Sequence, residues 1–194
     1  LIPSEDFHQS EYVGDYFKSR AFISGFTGSA GTALITMDDA LLWTDGRYFI
    51  QAEQQLQDSD FILMKMDMPG VPTLQEYLQK HVSENDVLAI DGRVFSVSDG
   101  LELTAIMENK KGKLRYDIDL IDEIWEDRPP LSTKEAFDLP TQFTGESRED
   151  KIRRIREKMM EYGATHHISS ALDDNCWMLN IRGDDVRYSP LVLS

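Results

Sequence analysis

The sequence predicts an α/β fold in a leading domain, followed by the start of a second, similar one. Three observations carry this. Short β-favouring runs alternate with helix-periodic runs as far as residue 126. Residues 127–147 then hold three of the seven prolines and little periodicity. Beyond them a helix-and-strand pattern resumes but covers only the first third or so of an ordinary domain of about 100–150 residues. The domains are accordingly read as 1–126, a linker at 127–146, and an incomplete second domain at 147–194.

The elements follow in order. "GTALIT" and "ALLWT" are apolar and β-favouring, and Asp38-Asp39 between them reads as a hairpin turn. "GRYFIQAEQQLQ" has helical spacing, with Tyr48, Ala52, Gln55 and Leu56 on one side and Thr44 or Asp45 placed to cap it. Strand "FILMKM", helix "PTLQEYLQKHV" with Pro72 in its first turn, and strand "VLAID" come next. Helix "SDGLELTAIMENK", strand "LRYDI" and a short acidic helix "DLIDEIWED" complete the leading set. Past the linker, Ser147 opens a charged helix whose buried stripe is expected at Ile152, Ile155, Met159 and Tyr162. "THHISS" reads as a strand, "ALDDNCWMLNIRG" as a short helix and turn, and "SPLVLS" as the start of a strand. The order strand, acidic turn, short helix, glycine loop, strand occurs in both regions, which points to a weak internal duplication.

Bulk properties narrow the function classes. The chain has 194 residues, 41% hydrophobic, enough to bury a core. Thirty-five acidic residues against 20 basic ones give a net charge of −15, which disfavours nucleic acid as a partner. The single cysteine, Cys176, forbids an internal disulfide and suits a reducing, cytoplasmic compartment. No apolar run approaches the roughly 20 residues of a membrane helix. The chain starts without methionine in a strand-like "LI", with no signal-peptide pattern, and its ends read as cut.

The glycines of "SGFTGSAGTALIT" raise the question of a phosphate loop. Gly25, Gly28 and Gly31 are spaced G-x-x-G-x-x-G, with no Lys-Ser or Lys-Thr after them, and the next segment favours a strand. Tight turns and close backbone contact are the favoured reading, with a small-molecule site as the rival. His166 and His167, adjacent in a strand, would point to opposite faces and could not share a metal ion. Cys176, beside Trp177 on the apolar phase of a helix, reads as a buried, inert thiol. No catalytic residue and no metal ligand set is assigned. Arg20, Arg47 and Arg182 sit at element junctions, where a structural ion pair with a local acid is favoured for each.

"IPSEDFHQSEY", "RAFISGFTGSAGTALIT", "LLWTDGRYFIQAEQQL", "EIWEDRP" and "GESREDKIRRIREKM…ALDDNCWMLNIRGDDVRYSPLVLS" resemble, in order and over nearly the whole chain, the three-domain Xaa-Pro aminopeptidases of the creatinase/prolidase superfamily. That resemblance implies a leading domain with a mixed β-sheet flanked by helices and no catalytic residues, and a second domain repeating its fold. It also implies a third, catalytic domain with a dinuclear manganese site held by two Asp, one His and two Glu, for which nothing here matches. The enzyme removes an N-terminal residue from peptides with proline in second position. On this basis Arg20, Gly25, Gly28, Gly31, Asp45, Gly46 and Arg47 are expected to be a structural signature. Asn180 and Arg182 are expected at a substrate-side or interdomain position. The implied partners are the chain's own catalytic domain, a proline-containing peptide and a second copy in a homodimer. The rival from another class is a stand-alone peptide-binding or assembly module of the same fold.

Overall fold

Strand β2 (Ala40–Thr44) organises the leading region. In the computed structural model, which describes residues 1–193, Leu41, Leu42, Trp43 and Thr44 are all buried. Successive side chains of a strand point to opposite faces, so a strand buried throughout needs cover on both. Leu41 and Trp43 join Leu34, Tyr77, Leu78, Leu88, Ile106 and Met107 in one core cluster. Leu42 joins Phe26, Ala33, Ala52 and Leu56 in the other.

β1 (Thr32–Ile35) pairs with β2 antiparallel, Ala33 opposite Leu42, and β3 (Phe61–Lys65) pairs with it parallel, Leu41 opposite Ile62. The mixed sheet is therefore β1-β2-β3. The β1–β2 turn is the expected hairpin, with Thr36 Oγ1 accepting from the backbone N–H groups of Asp38 and Asp39. α2 (Phe49–Gln55) makes the crossover to β3 and buries Ala52. α3 (Leu74–His81) and α4 (Val97–Asn109) contribute Leu78, Leu103 and Met107 to the first cluster. β4 (Val87–Ala89) and β5 (Lys113–Arg115) form a separate parallel pair.

Three helices, α3, α4 and the later α6 (Arg148–Glu161), start on a side-chain cap. Thr73 accepts from the N–H of Glu76, whose carboxylate accepts in return from the N–H of Thr73, a reciprocal cap. Pro72 thus lies just outside α3 rather than in its first turn. Ser96 and Ser147 cap α4 and α6 through the N–H groups of Asp99 and Asp150.

The chain divides into one unit of Leu1–Glu11 and Tyr16–Pro129, and a second of Tyr12–Asp15 and the chain from Pro130. The stretch read as a linker is not featureless. It carries β6 (Phe137–Asp138) and α5 (Thr141–Thr144), and β6 pairs antiparallel with β7 (Ile181–Arg182), which follows α7 (Leu172–Leu179).

Four more expectations are corrected. "DLIDEIWED" forms successive turns, because the Asp119 carboxylate ties down the N–H groups of Ile121 and Asp122 and Pro129-Pro130 soon ends the run. "THHISS" forms no strand; a strand needs a ladder partner, and β6 pairs with β7 instead. "SPLVLS" folds back, with Gly183 and Asp185 N–H donating to the Pro190 and Leu191 carbonyls, and forms no named strand; Ser194 lies outside the described residues. On α6 the fully buried residue is Lys151, while Ile152, Ile155 and Met159 are half-buried and Tyr162 is 83% exposed.

Candidate functional site

The glycine loop is built around Arg20. It leaves α1 (Ser19–Ser24), is only 4% exposed, and its guanidinium stacks 4.6 Å from the Phe26 ring centre. Nε donates to Ser4 Oγ at 2.8 Å, Nη1 to the Phe26 carbonyl at 2.8 Å, and Nη2 to the Gly28 carbonyl. Ser4 Oγ in turn donates a hydrogen bond to the Gly31 carbonyl at 2.7 Å. Burial pushes the guanidinium down to about 10. Three loop carbonyls are thus fixed, directly or through Ser4, by one cation. The expected ion pair is corrected: Arg20 serves carbonyls and a hydroxyl, because a planar fork can span several acceptors at once.

The glycines fit this frame. Gly25 ends α1 at φ +73°, a left-handed cap. A Cβ on Gly28 would overlap the Phe26 ring and lie 2.8 Å from Tyr48 Cδ1; one on Gly31 would lie 2.9 Å from the Trp43 carbonyl oxygen. The loop then enters β1, and the helix end that meets it is the C-terminus of α1. That end carries partial negative charge, so nothing here cradles a phosphate.

The neighbouring "TDGRYF" turn fastens this loop to α2. Thr44 Oγ1 donates to the Ala30 carbonyl, Tyr48 and Ser29 share a hydroxyl hydrogen bond of 2.7 Å, and Gln55 Oε1 accepts from the Thr27 N–H. Asp45 accepts from the Arg47 backbone N–H and, bidentately, from Arg47 Nε and Nη2 at 2.9 and 2.8 Å. Those hydrogen bonds hold the Asp45 carboxyl below its ordinary range. The cap expectation is corrected: α2 begins after Tyr48 with no side-chain cap, and Asp45 closes the preceding turn. Gly46 sits in that turn, and a Cβ added to it would make only an ordinary contact with Phe49 Cε2, at 3.9 Å.

In the trailing unit, Asn180 follows α7 in a left-handed conformation, φ +51°, and is 3% exposed. Its Oδ1 accepts from Lys151 Nζ at 2.6 Å, its Nδ2 donates to the Glu146 carbonyl at 2.9 Å, and its own carbonyl accepts from the Leu139 N–H at 2.7 Å. Arg182 turns back, Nη1 donating to the Cys176 and Ile181 carbonyls at 3.0 and 2.7 Å. Here too the expected carboxylate partner is replaced by backbone oxygens. Lys151, which sequence reasoning passed over, also donates to the Trp177 carbonyl at 2.8 Å and sits 4.5 Å from its ring centre. Burial holds its ammonium below the ordinary lysine range. One signal was available: Lys151 shares the helical phase of Ile155 and Met159.

The two sets lie in different units, and neither contains a nucleophile with a base. Cys176 is buried, its Sγ accepting from the Val192 N–H at 3.4 Å. Among the described residues no three His, Cys, Asp or Glu side chains form a group able to hold a metal ion. The leading unit also holds a cavity of about 340 Å³, walled by Ile2, Phe17, Ile23 and Ile121 with Asp119 and Arg128 at its edge. Those two charges are already paired with each other at 2.7 Å.

Known proteins resemble this chain over nearly its whole length. Residues 8–122 and 127–194 each match a Creatinase/Prolidase N-terminal domain family. A probable Xaa-Pro aminopeptidase P of Laccaria bicolor is 44% identical over 98% of this chain, which covers 30% of that protein. Aminopeptidase P2 of Arabidopsis thaliana is 42% identical over 99% of the chain and 27% of its own length. The crystal structure of a Caenorhabditis elegans X-prolyl aminopeptidase, described as a cytosolic enzyme with a di-nuclear active site, superposes with a TM-score of 0.88. It is 35% identical over 97% of this chain and 31% of that one. The chain thus spans about 30% of the length of the relatives it matches. It belongs to the creatinase/prolidase N-terminal domain family.

Proposed function

We propose that this chain is the non-catalytic amino-terminal region of a metal-dependent Xaa-Pro aminopeptidase, which releases the first residue of peptides with proline second. The observation that carries the reading is full-length coverage of this chain, at 38–44% identity, by relatives about three times longer and named for that activity. A dinuclear metal, manganese in this reading, belongs to polypeptide outside this chain, because the described residues supply no donor set for it. The region's role is to restrict the cleft to short peptides and to support assembly with the catalytic domain and a second copy. Asn180 and Arg182 face that catalytic side, in a cytoplasmic protein. The leading signature from Arg20 to Arg47 is structural.

The test compares three proteins on an Xaa-Pro tripeptide and on a twenty-residue peptide of the same start. The 194-residue chain should be inactive with or without manganese. The longer polypeptide should cleave the tripeptide and lose activity to a chelator. Removing residues 1–126 from it should admit the twenty-residue peptide. Metal-dependent hydrolysis by the 194-residue chain would overturn the non-catalytic assignment; an unchanged length limit would overturn the gating role.

A further inference from the structure

We propose that Lys151 is the positioning residue of the Asn180–Arg182 loop. Among the described residues the Lys151 ammonium hydrogen-bonds only neutral oxygens, and a buried lysine so placed is costly, since its charge is desolvated without an opposite charge to meet it. The acceptors are specific, however. One is the Trp177 carbonyl in the last turn of α7 and the other is the side chain of Asn180, the residue that ends α7. The Trp177 ring adds a third contact at 4.5 Å. Three α7 groups therefore converge on one α6 cation.

The geometry beyond Asn180 depends on that convergence. A left-handed residue other than glycine is strained unless its surroundings hold it, and asparagine tolerates the conformation best when its side chain is bonded locally. With Oδ1 on Lys151 and Nδ2 on the Glu146 carbonyl, both ends of the Asn180 amide are fixed. The peptide that follows enters β7, where Ile181 pairs with Asp138 and Arg182 with Phe137. A strand pair of two residues is marginal alone. The direction of the loop is thus set by the lysine clamp, and the short ladder follows it. The role is structural in this chain; its bearing on substrate rests on the reading above.

The test is amide hydrogen exchange in the 194-residue chain, reading Leu139 N–H, which donates to the Asn180 carbonyl, against Ile155 N–H inside α6 as control. Lys151→Met keeps the stem and removes the charge. Asn180→Gly keeps the left-handed backbone and removes the acceptor. Both should speed Leu139 exchange about tenfold or more relative to Ile155, and the double variant should be no faster than the faster single one. Unchanged Leu139 protection in Asn180→Gly overturns the proposal, and this variant decides alone if Lys151→Met fails to fold. In the longer polypeptide, a KM for an Xaa-Pro peptide raised about tenfold in both variants, with kcat kept, supports positioning for substrate. Faster Leu139 exchange with KM unmoved would leave the clamp standing and retire the substrate-side role of the loop.

Discussion

Arg20 in the leading unit and Lys151 in the trailing one are both buried cations that meet neutral oxygens instead of carboxylates. They differ in what surrounds them. Arg20 spans Ser4 Oγ and two loop carbonyls with one rigid fork, beside a sheet covered on both faces. Lys151 offers a point charge to two acceptors on one helix end, beside a two-residue strand pair and an open groove lined by Ile155, Met159, Tyr162 and Trp177. A fork organises many groups at once and can anchor a fold; a point charge selects one loop. The charge balance differs as well. Residues 1–129 hold 24 acidic and 11 basic residues, whereas residues 130–194 hold 11 and 9. A basic side chain is thus the rarer resource in the leading unit, where one arginine does the work of several.

The sharpest way to break this comparison is Arg20→Met. It leaves the buried Phe26 and Gly28 carbonyls and the half-buried Ser4 Oγ without their donor, and should cost the leading unit about 4 kcal/mol. Urea unfolding checks this. Arg20→Lys should recover less than half, because one ammonium cannot reach all three. Full recovery would mean that charge, not the fork, is what counts, and the contrast with Lys151 would disappear.

Arg128 sharpens the comparison from the other side, since it is a buried arginine that does have carboxylates. Its side chain is 7% exposed, and it bonds Asp119 and Asp122 at 2.7 and 3.1 Å. Burial alone would raise the Asp119 carboxyl; the hydrogen bond and charge of Arg128, with smaller help from the Ile121 and Asp122 N–H groups, outweigh it and hold the group below its ordinary range. A depressed carboxyl contributes stability above its unfolded value and loses it as pH falls through the folded one. The wild-type chain should therefore lose more stability than Arg128→Met as pH falls from about 5 to 3. At pH 7 the variant should be weaker by about 3 kcal/mol. Parallel pH curves for the two proteins would show that Asp119 is held by something else.

The smallest effect belongs to Asp45. Its pair with Arg47 is exposed, with 62% of the arginine side chain in water, and solvent screens such pairs. Because Asp45 closes a turn and does not cap α2, Asp45→Ala should lower the melting temperature by no more than about 3 °C. A larger drop would restore the cap assignment.

Local chemistry was legible in the sequence and partner choice was not. The Asp38-Asp39 hairpin, the serine cap at Ser147 and the burial of Cys176 each depend on residues close in the chain or on simple polarity. The oxygens that meet Arg20, Lys151 and Arg182 are mostly backbone carbonyls, which every residue possesses, so no side-chain pattern announces them. "THHISS" has strand composition but no partner, and a strand is defined by its partner. Asp45 fits a cap by type, yet its side chain is spent on the N–H of Arg47, two residues on, so α2 starts later. Asn180 and Arg182 were singled out by resemblance. Their neighbour Lys151 carries a charge in an apolar phase, the one anomaly a helical reading could have marked.

The two different pairings of β2 also set a timetable. Its antiparallel ladder to β1 closes across four residues, Thr36–Asp39, and contacts of that separation form in about 1–10 μs. Its parallel ladder to β3 cannot register until α2 and its flanking turns have brought Phe61 back beside Ala40. The hairpin is thus available as a template before the crossover exists, and the slower search is for β3. Substitutions in the β1–β2 turn should act on the rate of folding, and those on β3 on the rate of unfolding.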